Sequence, residues 1–245
     1  MGERKIIPFC THEDLMHLKS KYIEAIAIVT HEANKIDYKS IQELCGFDSN
    51  GKIEDNNNYS YKVLSRKDII IKDLAEKFKM SSKTVSRHLK IIEDVNIGSS
   101  YMQLIEIDNN NHDDLLFRVN HKVYEKYYTL IDKDILRELI KINGTALKLY
   151  LVIKYNYEYK KSINKPCILS LKYLADKIGL KDTENISDIL NKMDGTFIKR
   201  SPKLEHEIVI KNGKAQNSLK RYYEYEIIEE LNLHANYEEE DDLPW

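Results

Sequence analysis

The chain lacks the features by which secreted, membrane-spanning and metal-binding proteins are usually recognised. Its three cysteines, Cys10, Cys45 and Cys167, are far apart and show no CxxC spacing, so neither a disulfide framework nor a zinc site is expected. No apolar run approaches the roughly 20 residues that a membrane span needs. No basic-then-apolar segment opens the sequence, so no secretory signal is expected. We therefore predict a cytoplasmic protein with reduced thiols, no metal and no membrane contact.

Signatures of catalysis are missing as well. The sequence contains no GxxxxGK[ST] phosphate loop, no GxGxxG and no HExxH, and its eight histidines are scattered. Acidic pairs are abundant, but they fall on predicted solvent faces. We expect that the chain is not an enzyme, that it has no catalytic residues and that it needs no cofactor.

Residues 73–94, DLAEKFKMSSKTVSRHLKIIED, have the pattern of a helix-turn-helix. Leu74 and Phe78 lie four residues apart, so they share one helix face. Ser81 is a suitable N-cap for a second helix. Val85, Leu89 and Ile92 then form one inward apolar stripe at i, i+4 and i+7.

The opposite face of this second helix carries cations and hydroxyl groups but no carboxylate. Its candidate DNA-binding residues are Ser82, Lys83, Thr84, Ser86, Arg87 and Lys90. A recognition helix needs cations for phosphate oxygens, and Arg or hydroxyl groups for base edges. The pattern therefore predicts binding of double-stranded DNA in the major groove. The alternative is an amphipathic surface helix with solvated lysines. His88, on the same helix, is expected to pack or to contact phosphate.

The segment resembles the winged helix-turn-helix families, whose core often reads LAxxLGxSxxTVSRHLxxL. The departure is Lys79, where the family prefers Gly. The resemblance implies that Lys79 adopts a left-handed backbone conformation, at a cost of about 1 kcal/mol.

Charge is distributed unevenly along the chain. The formal net charge is −2, but residues 224–245 hold nine acids and no Lys or Arg, which leaves residues 1–223 at +7. A basic body with an acidic tail is typical of nucleic-acid contact combined with an interaction tail.

The flanking patterns predict a first winged-helix domain over residues 1–140, with its helix-turn-helix at 69–93. Tyr101–Ile107 and Leu115–Val119 are strand-like and are separated by the polar turn 108–114. Leu15–Ala33 is predicted to supply the remaining helix. Residues 34–67 are interpreted as an inserted loop, with a short helix at Ser40–Cys45.

A second copy of the motif lies about one hundred residues later. LAEKFKM at Leu74–Met80 aligns with LADKIGL at Leu174–Leu180, where the turn residue is Gly179. Such internal similarity indicates a duplicated domain. We predict a second winged helix over residues 141–230, with its helix-turn-helix at 170–193. The remaining predicted elements are a first helix at Thr145–Tyr155, strands at Phe197–Ser201, Ile208–Ile210 and Tyr222–Ile228 around an Asn212–Gly213 turn, and a helical connector at Lys122–Ile142.

The predicted fold is therefore α+β and helix-rich, with two tandem winged helices, small β-hairpin wings and an acidic tail at 231–245.

The second recognition helix, Thr183–Met193, carries Glu184 and Asp188, which phosphates would repel. Asn185 and Asn191 could still read bases. The cations of this unit lie in its wing, and its candidate DNA-binding residues are Lys199, Arg200, Lys211 and Lys214. A solvated hairpin is the alternative.

Four tyrosines cluster in and after the first helix of the second unit: Tyr150, Tyr155, Tyr157 and Tyr159. They are interpreted as half-buried aromatics rather than a base-stacking platform.

The chain ends in EEEDDLPW, Glu238–Trp245. This resembles the C-terminal tip of bacterial single-stranded-DNA-binding proteins, which docks replication and repair enzymes. The resemblance implies a protein-docking tail formed by Asp241, Asp242, Leu243, Pro244 and Trp245. A plain disordered tail, or a tail that covers the chain's own basic face, is the alternative.

The tandem organisation, with TALKLYLVIKY leading into LKYLADKIGL, resembles plasmid replication initiators built from two winged helices. The resemblance implies initiation of plasmid or phage replication by binding origin repeats and recruiting host replication proteins, with Lys83, Arg87 and Lys90 on DNA. A transcriptional regulator, in which the second unit dimerises or binds a ligand, is the alternative. An adaptor that barely binds DNA is a third. A homodimer is compatible with each.

Overall fold

The computed structural model describes residues 6–36, 59–64, 67–94, 101–105, 115–120, 127–211 and 214–228. Helices and small antiparallel sheets alternate along the chain, as expected of an α+β fold. The helices are α1 (Glu13–Met16), α2 (Ser20–Glu32), α3 (Lys67–Lys77), α4 (Ser82–Asp94), α5 (Lys133–Ile142), α6 (Gly144–Ser162), α7 (Leu171–Lys177) and α8 (Glu184–Met193). The strands are β1 (Ile6–Cys10), β2 (Asn34–Ile36), β3 (Tyr59–Leu64), β4 (Met102–Ile105), β5 (Leu115–Asn120), β6 (Tyr128–Asp132), β7 (Ile168–Leu169), β8 (Ile198–Lys211) and β9 (Lys214–Ile227).

The first unit packs helices α2, α3 and α4 beside a four-stranded sheet. Helix α2 packs against α4, and α3 packs against α4. The predicted wing is confirmed as the antiparallel pair β4–β5, which runs from Met102 opposite Val119 to Ile105 opposite Leu116. Its turn, residues 108–114, lies outside the described residues.

The inserted loop predicted at residues 34–67 is wrong at both ends, because these ends form β2 and β3. The sheet order is β2-β3-β5-β4, so β3 is a central strand. The aromatic and apolar residues of YSYKVL pair with β5, and Tyr61 and Leu64 are buried. The polar run that precedes them hid this signal in the sequence. The helix predicted at Ser40–Cys45 lies outside the described residues.

The helical connector predicted at Lys122–Ile142 is wrong for Tyr128–Asp132, which form strand β6. This strand pairs antiparallel with β1, from the other end of the unit. The helix begins only at Lys133, because the Asp132 carboxylate accepts hydrogen bonds from the backbone N–H groups of Asp134 (2.8 Å) and Ile135 (3.3 Å).

The second half contains helices α6, α7 and α8 and a long hairpin. The predicted helix at Thr145–Tyr155 is confirmed and extends to Ser162 as α6. The separately predicted strands are parts of the continuous strands β8 and β9, paired from Ile198 opposite Ile227 to Lys211 opposite Lys214. Asn212–Gly213, the predicted turn, lies outside the described residues.

One hydrophobic core runs through both halves of the described chain. It includes Phe78 and Val85 beside the first helix-turn-helix and Leu174 and Leu190 beside the second. Cys10 and Cys167 are buried within it as free thiols, as predicted, and burial raises their pKa values to about 12 and about 11. Cys45 lies outside the described residues.

The two halves of the chain approach each other closely where α6 begins. A Cβ added at Gly144 would lie 2.3 Å from the carbonyl oxygen of Ser20, the first residue of α2. Beside this contact the Ser20 and Thr145 hydroxyls are hydrogen-bonded at 2.6 Å. Glycine is therefore required here by the close approach of two helices.

A buried lysine in α6 links the second helix-turn-helix to the segment before α2. Lys148 is 3% exposed, and its Nζ donates to the carbonyl oxygens of Leu18 and Ile178, each at 2.9 Å. Burial lowers the pKa of Lys148 to about 8. Ile178 is the C-cap of α7, so the lysine links the segment before α2 to the turn of the second motif.

We predict that Gly144→Ala lowers the free energy of unfolding by about 1–3 kcal/mol, because α2 and α6 must separate to admit the methyl group. Thr145→Ala is the matched control, since it removes one hydrogen bond without a clash and should cost about 1 kcal/mol or less. Urea denaturation measures both. Equal losses for the two variants would mean that the close approach is not a constraint.

Candidate nucleic-acid interface

The two helix-turn-helix motifs share the same turn geometry. The N–H of Met80 donates to the Ala75 carbonyl oxygen at 2.9 Å, and the N–H of Leu180 donates to that of Ala175 at 2.9 Å. The residue before each donor has a left-handed backbone: Lys79 at φ 50° and Gly179 at φ 72°. The predicted conformation of Lys79 is therefore confirmed, and the same turn recurs one hundred residues later at Gly179.

The first candidate recognition helix, α4, begins and packs as predicted. The Ser81 Oγ accepts the backbone N–H of Thr84 at 3.0 Å, which caps the helix. Val85, Leu89 and Ile92 are buried in the core. This packing turns the opposite face of α4 outward.

The outward face of α4 holds the predicted DNA-binding residues. Ser82, Lys83, Arg87 and Lys90 are exposed, while Thr84 and Ser86 are half-buried. Within the described ranges, no ion pair involves Lys83, Arg87 or Lys90. Because the described residues supply no ion-pair partner for these cations, the cations are available to bind an external anion, as phosphate contact requires.

His88 lies on the inner side of α4 and packs rather than facing DNA. It is 7% exposed, and its Nε2 donates to Oε2 of Glu24 in α2 at 2.6 Å. The other oxygen, Oε1, accepts the backbone N–H of Gly144 at 2.7 Å. Burial acts to raise the pKa of Glu24, but the hydrogen bonds and charge of His88 and the Gly144 N–H prevail and lower it. Glu24 thus joins the recognition helix, α2 and the start of α6. Sequence analysis missed this pair because its members are 64 positions apart.

The second candidate recognition helix, α8, differs in charge. Asn185 and Asp188 are exposed on it. Asn191 accepts a hydrogen bond from the Arg200 guanidinium, so its side-chain oxygen is already engaged. An exposed carboxylate and an occupied amide make α8 a poorer partner for phosphates than α4.

Among the described wing cations of the second half, some have a partner in the protein and others do not. Arg200 donates from its backbone N and its Nε to Asp194, each at 3.1 Å, and its guanidinium lies 5.2 Å from the Tyr223 ring centre. Lys203 pairs with Glu224 at 2.7 Å. Lys199 is exposed, and no ion pair among the described residues involves it. The side chains of Lys211 and Lys214 lie outside the described part, as does the predicted docking tail at 241–245.

The tyrosines of α6 are only partly half-buried. Tyr150 is buried and Tyr157 is half-buried, but Tyr155 is 41% exposed and Tyr159 is 59% exposed. The interpretation as half-buried aromatics is wrong for these last two. Both lie in the second half of the 19-residue helix α6, on its exposed side, whereas Tyr157 between them packs against the core.

The comparison with protein families agrees with this geometry. Residues 62–97 match the family model described as bacterial regulatory protein, arsR family. The match spans α3, the turn and α4. This part of the chain is a winged-helix, helix-turn-helix DNA-binding domain. Searches of curated proteins and of solved structures give no match.

No helix in the described ranges is both long enough and apolar enough to cross a membrane.

We predict that replacing Lys83 and Arg87 together by Ala weakens specific duplex binding by more than about 1 kcal/mol, because phosphate and base contacts are lost. Fluorescence anisotropy with a labelled duplex measures the change. The matched control replaces Lys181 and Lys192, two exposed cations at the second motif, and removes the same charge. An equal loss in both variants would indicate nonspecific attraction instead of recognition by α4.

We predict that Glu24→Gln lowers the free energy of unfolding at pH 7 by about 1.5–3 kcal/mol, because charge-assisted hydrogen bonds to His88 and Gly144 are weakened. The folded-state pKa of Glu24 is lowered from 4.5, so its stabilisation is present above that pH and is lost as pH falls below it. The difference between the two proteins should therefore shrink in acid. Glu76→Gln, at an exposed site on α3, is the control and should show little difference at any pH.

Proposed function

We propose that the protein recognises specific sequences in double-stranded DNA with α4 in the major groove. The observation that carries this is the outward face of α4, whose cations have no ion pairs within the described residues and whose neighbours are hydroxyl groups. Arg and hydroxyl side chains read base edges, and Lys contacts position the helix on the backbone. The family match over residues 62–97 supports the same surface.

We further propose that the chain is a tandem winged-helix protein. The support is the repeated turn geometry at Lys79 and Gly179, together with a helix before each motif and a β-hairpin after it. In this arrangement the second unit contacts DNA through its wing, with Lys199, Lys211 and Lys214 against phosphates. Arg200 would act mainly inside the unit, because Asp194, Asn191 and Tyr223 already engage it.

Two biological roles use this surface. Transcriptional regulation has the support of the matched family model, which describes regulatory proteins. Replication initiation is supported by the doubled motif and by the terminal sequence EEEDDLPW, which fits a docking peptide for host replication proteins. In both roles the chain acts without a catalytic centre of its own, in the cytoplasm, as a monomer or a homodimer on DNA.

The arrangement of bound sites distinguishes the roles. We predict that selection from a random duplex library with the full chain enriches a defined sequence, because α4 offers base-reading groups at fixed positions. Enriched direct repeats would assign replication initiation, since origin repeats are bound in tandem. A single inverted repeat would assign a two-fold symmetric regulator.

The Lys83/Arg87 double variant is the control for this selection and should enrich no sequence. If the unaltered chain also fails to enrich any sequence, sequence-specific recognition is excluded and the adaptor role takes its place.

A further inference from the structure

Two lysines oppose each other at the edge of the four-stranded sheet. Lys35 in β2 and Lys62 in β3 are direct partners in the antiparallel register. Like charges directly opposite each other destabilise a strand pair. Lys62 is half-buried while Lys35 is exposed, so water screens the repulsion less than it would between two surface side chains. The fold therefore retains at this edge an arrangement that costs stability.

A third lysine adds to the same charge. Lys133, the first residue of α5, donates from Nζ to the carbonyl oxygen of His31 at 2.5 Å. Burial lowers the pKa of Lys62 from its usual value, and the nearby charges of Lys133 and Lys35 lower it further. No ion pair between described residues includes Lys35, Lys62 or Lys133. Lys35 and Lys133 thus act electrostatically on Lys62, and none of the three has an ion pair within the described part of the chain.

The lysine cluster, Lys35, Lys62 and Lys133, borders the helix-turn-helix through the end of α2. His31 packs edge-to-face on Phe78, with ring centres 5.3 Å apart. The next residue, Glu32, has its Oε1 2.6 Å from Nζ of Lys77 at the end of α3. The cluster and the turn that leads into α4 therefore flank the same helix end.

The end of α2 explains part of this cluster. Carbonyl groups at a helix C-terminus carry a partial negative charge, which attracts cations. This accounts for the contact of Lys133 with the His31 carbonyl. A helix end is equivalent to only about half an elementary charge, so it does not balance three lysines.

We propose that Lys35, Lys62 and Lys133 form a phosphate-binding site. Lysine ammonium groups bind phosphate as point charges on flexible stems. The phosphate belongs either to the DNA backbone next to the segment read by α4 or to a free phosphorylated molecule. The first source rests on the proposed DNA-binding function, and the second does not.

The test uses the full chain with Lys62→Met, which keeps the length of the side chain and removes its charge. Lys165→Met, at an exposed position after α6, is the matched control. Duplex affinity is measured from low to high salt, and inorganic phosphate and pyrophosphate are titrated calorimetrically without DNA. Thermal unfolding is followed in phosphate-free buffer.

Lys62→Met should melt at a higher temperature than the unaltered chain, because removing one charge relieves the repulsion. A lysine with a purely structural role would give the opposite shift when removed. If the site holds a backbone phosphate, the slope of log affinity against log salt should become shallower by about 1 in this variant. If it holds a free phosphate, the unaltered chain should bind inorganic phosphate or pyrophosphate and the variant should bind neither. The control should change none of these.

An unchanged salt slope together with no binding of either anion by the unaltered chain would overturn the proposal, as would a lowered melting temperature. If the unaltered chain binds no DNA at all, the proposed function fails, and the anion titration alone then decides whether the site exists.

Discussion

The hydrogen-bonded carboxylate of Glu24 is the contact on which the arrangement of this molecule depends. One oxygen holds His88 on the inner side of the recognition helix, and the other holds the backbone N–H at the start of α6. Glu24 is half-buried, and a carboxylate partly removed from water is stabilised when both of its oxygens accept hydrogen bonds. The position of α4 is therefore tied to the position of the helix that begins the second half of the chain.

The contacts at the start of α6 hold the two helix-turn-helix motifs close together. Gly144 lies against Ser20, and Lys148 links the Leu18 and Ile178 carbonyls, so the second helix-turn-helix is fastened to the same place as the first. A continuous hydrophobic core joins them as well. In the proposed tandem arrangement, two motifs held in this way would meet a duplex at a fixed separation, unlike two domains on a flexible linker. In that arrangement the protein would set the spacing between bound sites, and the DNA would have to bend or twist to match it.

The sequence predicted those parts of the fold that are encoded locally. The apolar stripe of Val85, Leu89 and Ile92, the Ser81 cap and the left-handed Lys79 all follow from neighbours within a few residues, and each is confirmed. The parts that failed depend on distant partners. Strand β6 forms because β1, more than one hundred residues earlier, pairs with it, and β3 forms because β5 accepts it into the sheet. Local periodicity contains no information on either pairing.

The same distinction separates the predicted from the unpredicted parts of the candidate site. The outward residues of α4 could be assigned from helical spacing alone, because burial of one face fixes the other. The interactions of Arg200 could not, since its partner Asn191 lies on another element and its ring partner Tyr223 on a third. The repulsion at Lys62 likewise could not be predicted from the sequence, because only the strand register places Lys35 opposite it. Helical spacing in the sequence therefore predicts which face of α4 is turned outward, while long-range contacts determine which of the other cations already have partners.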